Sequence, residues 1–290
     1  MNNLVTESAS IIELIRLSDK EYKLISGLVY DKFGINLGEQ KRSLIVGRLN
    51  KVLKQYGFRS FQEYYDYVLQ DDSGAALTTL IDRISTNHTF FNREKDHFEY
   101  FSEMAIPEII RRLKNQNCRD MRIWCAGCST GEESYTIAML LLEHLGNELK
   151  AWDIGILATD ISSRALEKAV NGVYQDENVA KLPPGLKNKY LIRQERGDWM
   201  VNDKVRSIVV YRKLNLMGES YPFKGRFQTI FCRNVMIYFD KPTREALVAR
   251  FHRYLDDDGF LFIGHSETLG RDSRSFRYLK PALYQRVQGK

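Results

Sequence analysis

Three groups of residues in this 290-residue chain have types and spacing suited to holding a ligand. The first is Met121-Arg-Ile-Trp-Cys-Ala-Gly-Cys-Ser-Thr-Gly-Glu-Glu-Ser134. Ile123, Trp124 and Cys125 form an apolar run suited to a buried parallel strand. Gly127 and Gly131 then let the backbone turn tightly and approach a ligand without a Cβ in the way. The second is Asp160, at the tip of a second apolar run over residues 154–159, where a carboxylate can accept from both hydroxyls of a ribose. The third is Ser85-Thr-Asn-His-Thr-Phe-Phe-Asn-Arg-Glu94, where Asn87, Thr89 and Arg93 put donors beside an aromatic wall. Taken singly, these are a tight turn, a helix-entry aspartate and a loop junction. Taken together, they describe a site for a nucleotide-like ligand at the carboxyl end of a sheet.

Several chemistries are set aside by spacing. The five histidines show no H-E-x-x-H pattern, and Cys125-x-x-Cys128 has no second pair to complete a zinc site, so no metal centre is expected. The stretch Gly264-His-Ser-Glu-Thr268 lacks the last glycine of a nucleophile elbow. No P-loop is present. The glycine turn departs from strict G-x-G-x-x-G spacing, and Asp160 falls later than the ~20 residues typical of a nicotinamide fingerprint. A nucleotide-like cofactor with a ribose carboxylate, and no nucleophile or metal, suits S-adenosylmethionine-dependent methyl transfer. There the reacting sulfonium is already activated, and the protein supplies alignment and a dry site.

These residues need elements to hold them. The helix after the glycine turn carries Tyr135, Ala138, Met139, Leu142 and Leu145 on one stripe and ends at Gly146. Before it, the chain reads as all-helical. Capping boxes at Ser18-Asp-Lys-Glu21 and Ser60-Phe-Gln-Glu63 open two helices, and residues 39–56 form another, ending at Gly57, with Ile45, Leu49, Val52 and Tyr56 as its apolar stripe. A further helix covers residues 74–84. Residues 1–17 read as a weakly patterned lead-in. After Asp160, alternation breaks over about residues 172–213, where short strands at 190–193, 199–202 and 208–212 surround Arg196-Gly-Asp198; this reads as a small antiparallel insertion. Residues 227–232 and 260–264 then resume the strand-and-helix pattern, and 283–287 reads as a last strand. The expected organisation is a helical domain over residues 1–92 and an α/β domain over 93–290. With 43 basic and 37 acidic residues the formal charge is +6, compatible with an acidic partner and most commonly a matter of solubility. No secretory signal or membrane-spanning run is read, so a cytoplasmic protein with free thiols is expected.

The assembled motifs resemble those of the bacterial chemotaxis receptor glutamate O-methyltransferases, the CheR family. The matching stretches are residues 85–94, Ala126-Gly-Cys-Ser-Thr-Gly-Glu-Glu133, Ala158-Thr-Asp-Ile161, Leu214-Asn-Leu216, the ten residues Phe231-Cys-Arg-Asn-Val-Met-Ile-Tyr-Phe-Asp240, and Gly264-His-Ser-Glu267. The resemblance implies a helical N-terminal domain joined to a Rossmann-like methyltransferase domain with a small β-subdomain. It implies S-adenosylmethionine as cofactor, S-adenosylhomocysteine as product, and glutamates on the cytoplasmic helical bundle of chemoreceptors as substrate. By motif, Asn87, Thr89, Arg93, Glu133, Asp160, Asn215, Leu216, Arg233 and Asn234 match cofactor-contacting positions, and Tyr238 matches a tyrosine near the transferred methyl. Arg93 and Tyr238 are therefore the expected catalytic pair. Two departures stand out. Ser134 occupies a position where many members carry proline. The β-subdomain between Leu191 and Val210 is shorter than in members that dock on a receptor's C-terminal peptide, so no such tether is expected. The chain is expected to act as a monomer, without nucleic acid and without membrane insertion.

The chemistry fits. A glutamate with a pKa of about 4.3 is ionised at neutral pH and attacks without a general base. Arg93 suits a bidentate grip on the cofactor's carboxylate end. On the second predicted helix Arg48, Lys51 and Lys54 form a basic row, either a solvated face or a docking surface for an acidic helical bundle. Two alternatives are a nucleic-acid methyltransferase, suggested by the pI near 9.0, and a non-catalytic module that binds the cofactor as a signal. Against the first, Arg233-Asn-Val235 stands where base amino-methylases carry an Asn/Asp-Pro-Pro-aromatic run.

Overall fold

The computed structural model describes residues 14–270 and 274–287; the lead-in expectation for residues 1–13 lies outside them. The chain divides into two compact units. One runs up to Asp31 and includes Leu37–Ile84; the other comprises Lys32–Asn36 and the chain from Ser85 onward.

The first unit is all helical. α1 (Asp19–Phe33) opens with the expected capping box: the Glu21 amide donates to Ser18 Oγ, and the Ser18 amide donates back to the Glu21 carboxylate at 2.9 Å. A 3-10 turn (Glu39–Lys41) leads into α2 (Arg42–Tyr56), which stops at Gly57 in the left-handed region. α3 (Phe61–Gln70) is capped by the Ser60 hydroxyl, and α4 (Ala75–Ile84) completes the unit. Ile25, Val29, Ile45, Leu49, Val52, Phe61, Tyr64 and Ile81 make its core. The expected stripe on α2 needs one correction. Tyr56 is 53% exposed and stacks on Phe58 at the surface, while Leu53 is buried in its place. At the last turn of a helix the 3.6-residue period no longer has a partner to pack against.

The second unit is built on a seven-stranded sheet. Its strands are β1 (Asp120–Ala126), β2 (Asp153–Asp160), β6 (Val209–Lys213), β7 (Phe227–Cys232), β8 (Leu255–Ile263), β9 (Phe276–Lys280) and β10 (Leu283–Arg286), in the order β6-β2-β1-β7-β8-β10-β9. β6, β2, β1, β7 and β8 run parallel, and β10 is antiparallel to both its neighbours. β7 is buried at all six positions, as a central strand covered on both faces requires. A separate three-stranded antiparallel sheet is ordered β3 (Val173–Tyr174), β5 (Trp199–Val201), β4 (Leu191–Arg193). The strand expected at 208–212 as part of this insertion instead pairs parallel with β2 and forms an edge of the large sheet. Its alternating burial is what an edge strand and an insertion strand share, so the pattern alone does not separate them.

Around the sheet lie α5 (Lys95–Tyr100), a π turn (Phe101–Ala105), α6 (Ile106–Asn115), α7 (Glu132–Leu145), α8 (Ser163–Asn171) and α12 (Lys241–Tyr254); the short α9 (Asp176–Val179), α10 (Pro184–Tyr190) and α11 (Asp203–Arg206) belong to the region around the small sheet. Pro107 sits in the first turn of α6 directly after the π turn, and the wider π turn is where the helix accommodates its missing N–H. Trp124, at the centre of β1, is fully buried and donates its indole N–H to Thr159 at 2.9 Å. Among the described residues no helix is long and apolar enough to cross a membrane.

Candidate functional site

The sheet order reverses direction at β1: the chain steps from β1 outward through β2 to β6, then returns to the other side of β1 as β7. In an open α/β sheet, the crevice at the carboxyl ends beside such a reversal is where ligands bind. Here the strands end at Ala126, Asp160, Lys213 and Cys232, and nine of the ten residues picked out for cofactor binding or catalysis follow or terminate them closely or lie in residues 85–94. The exception is Glu133, in the first turn of α7.

The glycine turn is held from below and from the side. Gly127 and Cys128 both donate their amides to the Thr159 carbonyl, at 2.7 and 2.9 Å. Gly127 has φ +83°, and a Cβ there would lie 2.4 Å from the Val235 side chain, so glycine is required on both counts. Asp160 is nearly buried. One carboxylate oxygen accepts from the Ser129 amide (2.7 Å) and the other from the Ser162 amide (2.9 Å), which fixes the plane of the carboxylate at the end of β2. Residues 85–94 join this group: the Ser129 hydroxyl donates to the Asn87 carbonyl (3.0 Å), and the Asn87 amide donates to the Ser162 hydroxyl (3.3 Å). Thr89 is half-buried in the same loop. Arg93 donates to the His88 carbonyl at 2.9 Å, which folds the loop back on itself and fixes the guanidinium.

A second knot forms around Arg233, whose side chain is 1% exposed. Its guanidinium donates to Glu133 at 2.7 Å, to Glu94 at 3.0 Å and to the Arg93 carbonyl, and lies over the Phe98 ring. Glu94 also accepts from the Asn234 amide at 3.1 Å. Burial pushes the Glu94 carboxyl up, but the Arg233 guanidinium, the Asn234 amide and His265 outweigh it, and the net is below its ordinary value. The other Glu133 oxygen accepts from the Cys125 thiol at 3.0 Å, and burial pushes that thiol well up, with Glu133 adding to it. All four cysteines are free.

The structure thus ties Asn87 and Asp160 into one cluster, and Arg93, Glu133, Arg233 and Asn234 into another. Asn215 and Leu216 stand in the turn after β6. The Asn215 amide donates to the Lys32 carbonyl (2.8 Å), and Leu216 packs into the core beside Trp124 and Tyr221. Tyr238 is half-buried, in a 3-10 turn (Met236–Tyr238), and its carbonyl accepts from the Asn36 amide at 2.8 Å. Ser134 has a local account: its hydroxyl donates to the Gly131 carbonyl (2.8 Å) and contacts the Tyr211 hydroxyl (2.9 Å). In the first unit, Lys51 and Lys54 are exposed, whereas Arg48 is half-buried and donates to the Ile84 and Arg83 carbonyls at the end of α4.

Two carboxylates escaped the sequence reading: Glu94, hub of the Arg233 knot, and Glu267, described below. Their signal was present, since both stand in matched motifs. Arg233 lies 139 residues from Glu94 and Asn234 lies 33 residues from Glu267, beyond the reach of local pattern.

Comparison with known proteins follows the same division of the chain. A family profile described as "CheR methyltransferase, SAM binding domain" matches residues 87–284, and one described as "CheR methyltransferase, all-alpha domain" matches residues 20–85. The chain is 42% identical to a chemotaxis protein methyltransferase of Borreliella burgdorferi, over 94% of this chain and 96% of that one. It is 35% identical to a chemotaxis protein methyltransferase of Escherichia coli, over 94% and 92%. It is 34% identical to chemotaxis protein methyltransferase 2 of Pseudomonas aeruginosa, over 91% and 92%.

Proposed function

The chain belongs to the CheR methyltransferase family, and we propose that it transfers a methyl group from S-adenosylmethionine to glutamate side chains on the cytoplasmic helical bundle of chemoreceptors, yielding methyl esters. Membership makes it an S-adenosylmethionine-dependent methyltransferase of chemotaxis; the glutamate substrate, the cytoplasmic location and the roles of individual residues are our reading.

The residues at the switch point fit the cofactor. The Asp160 carboxylate, oriented by two backbone amides, is an acceptor for the ribose hydroxyls. Arg93 brings a planar fork of donors suited to the carboxylate end. Asn87, Thr89, Glu133, Asn215, Leu216, Arg233 and Asn234 complete the set. The Arg233 side chain serves from behind, by holding Glu133, Glu94 and the Arg93 backbone. When bound, S-adenosylmethionine supplies a methyl group on a positively charged sulfur.

One observation carries the substrate reading. Four carboxylates at this end of the sheet are already committed: Glu94 and Glu133 to Arg233, Asp160 to two amides and Glu267 to three. None stands ready as a general base, which suits a nucleophile that arrives ionised, as a glutamate does at neutral pH. The roles left to the chain are orientation and water exclusion, with Tyr238 placed beside the reacting centre. Lys51 and Lys54 offer an acidic bundle a docking face, with Arg48 a lesser member because it is engaged at the end of α4. The short turn between β4 and β5 supports action without a receptor tail tether, and we propose that the chain works as a monomer.

The test is incubation with radiolabelled S-adenosylmethionine and receptor cytoplasmic fragments, with and without their C-terminal tails. Base-labile label of equal extent on both fragments is expected. Base-stable label, or label entering added nucleic acid instead, would refute the substrate reading. Label confined to tailed fragments would refute the untethered one.

A further inference from the structure

Glu267 is 7% exposed, and no lysine or arginine within ion-pair distance balances its charge among the described residues. It is surrounded by backbone amides. One carboxylate oxygen accepts from Gly264 (2.5 Å) and Asn234 (3.1 Å), and the other accepts from Ile237 (3.1 Å). A buried carboxylate without a counter-ion is an expensive way to fill space. What it does that an apolar side chain cannot is tie three amides on two separate segments to one point, in the manner of a backbone nest around an anion.

The segment it ties is residues 233–238. Asn234 has φ +59°, a left-handed conformation that a non-glycine residue keeps only when its surroundings over-determine it. The surroundings do so from both sides: Glu94 holds the Asn234 side chain, and Glu267 holds its amide. Gly264 lies against the same residue; a Cβ there would come within 2.5 Å of the Asn234 side-chain amide and 2.8 Å of its backbone nitrogen. Three residues after Asn234, the Ile237 amide is held by the other carboxylate oxygen, and Tyr238 follows directly.

We propose that Glu267 is a positioning residue for methyl transfer: it touches neither substrate nor cofactor, and sets the Asn234–Tyr238 turn in register with the reacting centre. The proposal rests on the reading of Tyr238 given above. A misplacement of about 1 Å at a reacting centre lowers rate by roughly 100-fold. Glu267→Gln turns one oxygen into an NH2 group, so at least one amide faces a donor instead of an acceptor.

The experiment uses the full-length protein. Amide hydrogen exchange at Asn234 and Ile237 is measured without ligand, together with single-turnover methylation of a receptor fragment and S-adenosylhomocysteine affinity by calorimetry. For Glu267→Gln we expect faster exchange at both amides, about 100-fold slower turnover and receptor KM within a few-fold of wild type. Tyr238→Phe should cost less in that background than in wild type, since coupled residues are not additive. Gly264→Ala, which pushes a Cβ against Asn234 and leaves the carboxylate in the chain, should give the same signature and serves if Glu267→Gln does not fold. Unchanged exchange, turnover within threefold of wild type, or strict additivity with Tyr238→Phe would each overturn the inference. A wild-type protein that labels no receptor glutamate would strike the substrate reading alone; the exchange result would still judge whether Glu267 holds the turn.

Discussion

Replacing Arg233 with methionine removes the guanidinium that Glu94 and Glu133 share. The Arg233 side chain is 1% exposed and its two partners 13% each, so little solvent screens either pair. Removing one partner of a buried pair costs about 3–5 kcal/mol, because the other charge is left uncompensated. At about 2–4 °C per kcal/mol for a domain of this size, the thermal midpoint should fall by roughly 6–20 °C at neutral pH. The fall should also depend on pH in a specified direction. In the wild type the Glu94 carboxyl is held below its ordinary value, so its contribution is present above the unfolded pKa and lost as pH falls through the folded one. Without the guanidinium, burial dominates and raises the Glu94 pKa. The variant is then most stable relative to its own neutral-pH value when Glu94 is protonated, and the gap to wild type narrows between about pH 7 and pH 4. Scanning calorimetry across that range measures both the size and the narrowing. A midpoint loss under about 3 °C, or a gap constant with pH, would refute the reading of Arg233 as the charge that holds this knot together.

Four further outcomes are expected. Asp160→Ala should weaken S-adenosylhomocysteine binding by roughly 1.5–3 kcal/mol for each ribose hydrogen bond lost, read by calorimetry, and should lower the thermal midpoint because the Ser129 and Ser162 amides lose their acceptor. Tyr238→Phe should slow single turnover more than it weakens cofactor binding; equal losses would make Tyr238 a cofactor-holding residue. Lys51→Glu with Lys54→Glu should slow receptor methylation, leave cofactor affinity unchanged and remove the salt dependence of the wild-type rate below receptor saturation; normal kinetics in a folded variant would move the docking face elsewhere. His97 is fully buried, and burial first, then the Arg233 charge, lowers its pKa to about 4; the stability present above pH 6.5 is therefore partly lost as pH falls toward 4, because the unfolded chain takes up the proton first, and His97→Leu should flatten that limb of the urea-unfolding profile.

Much of the site was legible because its parts are local. A strand, a turn with glycines where left-handed backbone is needed, and a helix start lie within fourteen consecutive residues, and Asp160 marks the end of the next strand. The helical unit was legible through its caps, where Ser18, Gly57 and Ser60 act as their types suggest. What stayed hidden depends on partners distant in the chain. β6 was assigned to the insertion because its edge position gives it the same alternation, and only its pairing with β2 reveals the large sheet. β9 went unread because one of its five residues is buried and its register is set by β10. Glu94 and Glu267 look like surface carboxylates until Arg233 and the Asn234 amide come to meet them across the sheet end.

The central claim is that this protein makes glutamate methyl esters on chemoreceptors. Peptide-resolved mass spectrometry of a receptor cytoplasmic fragment, after incubation with the protein and S-adenosylmethionine, tests it most directly. The account predicts a mass gain of one methylene on glutamate side chains of the helical bundle, reversed by mild base and absent with Asp160→Ala at limiting cofactor. A gain on any other residue type, or an unmodified receptor fragment in the presence of protein shown by calorimetry to bind S-adenosylmethionine, would contradict it.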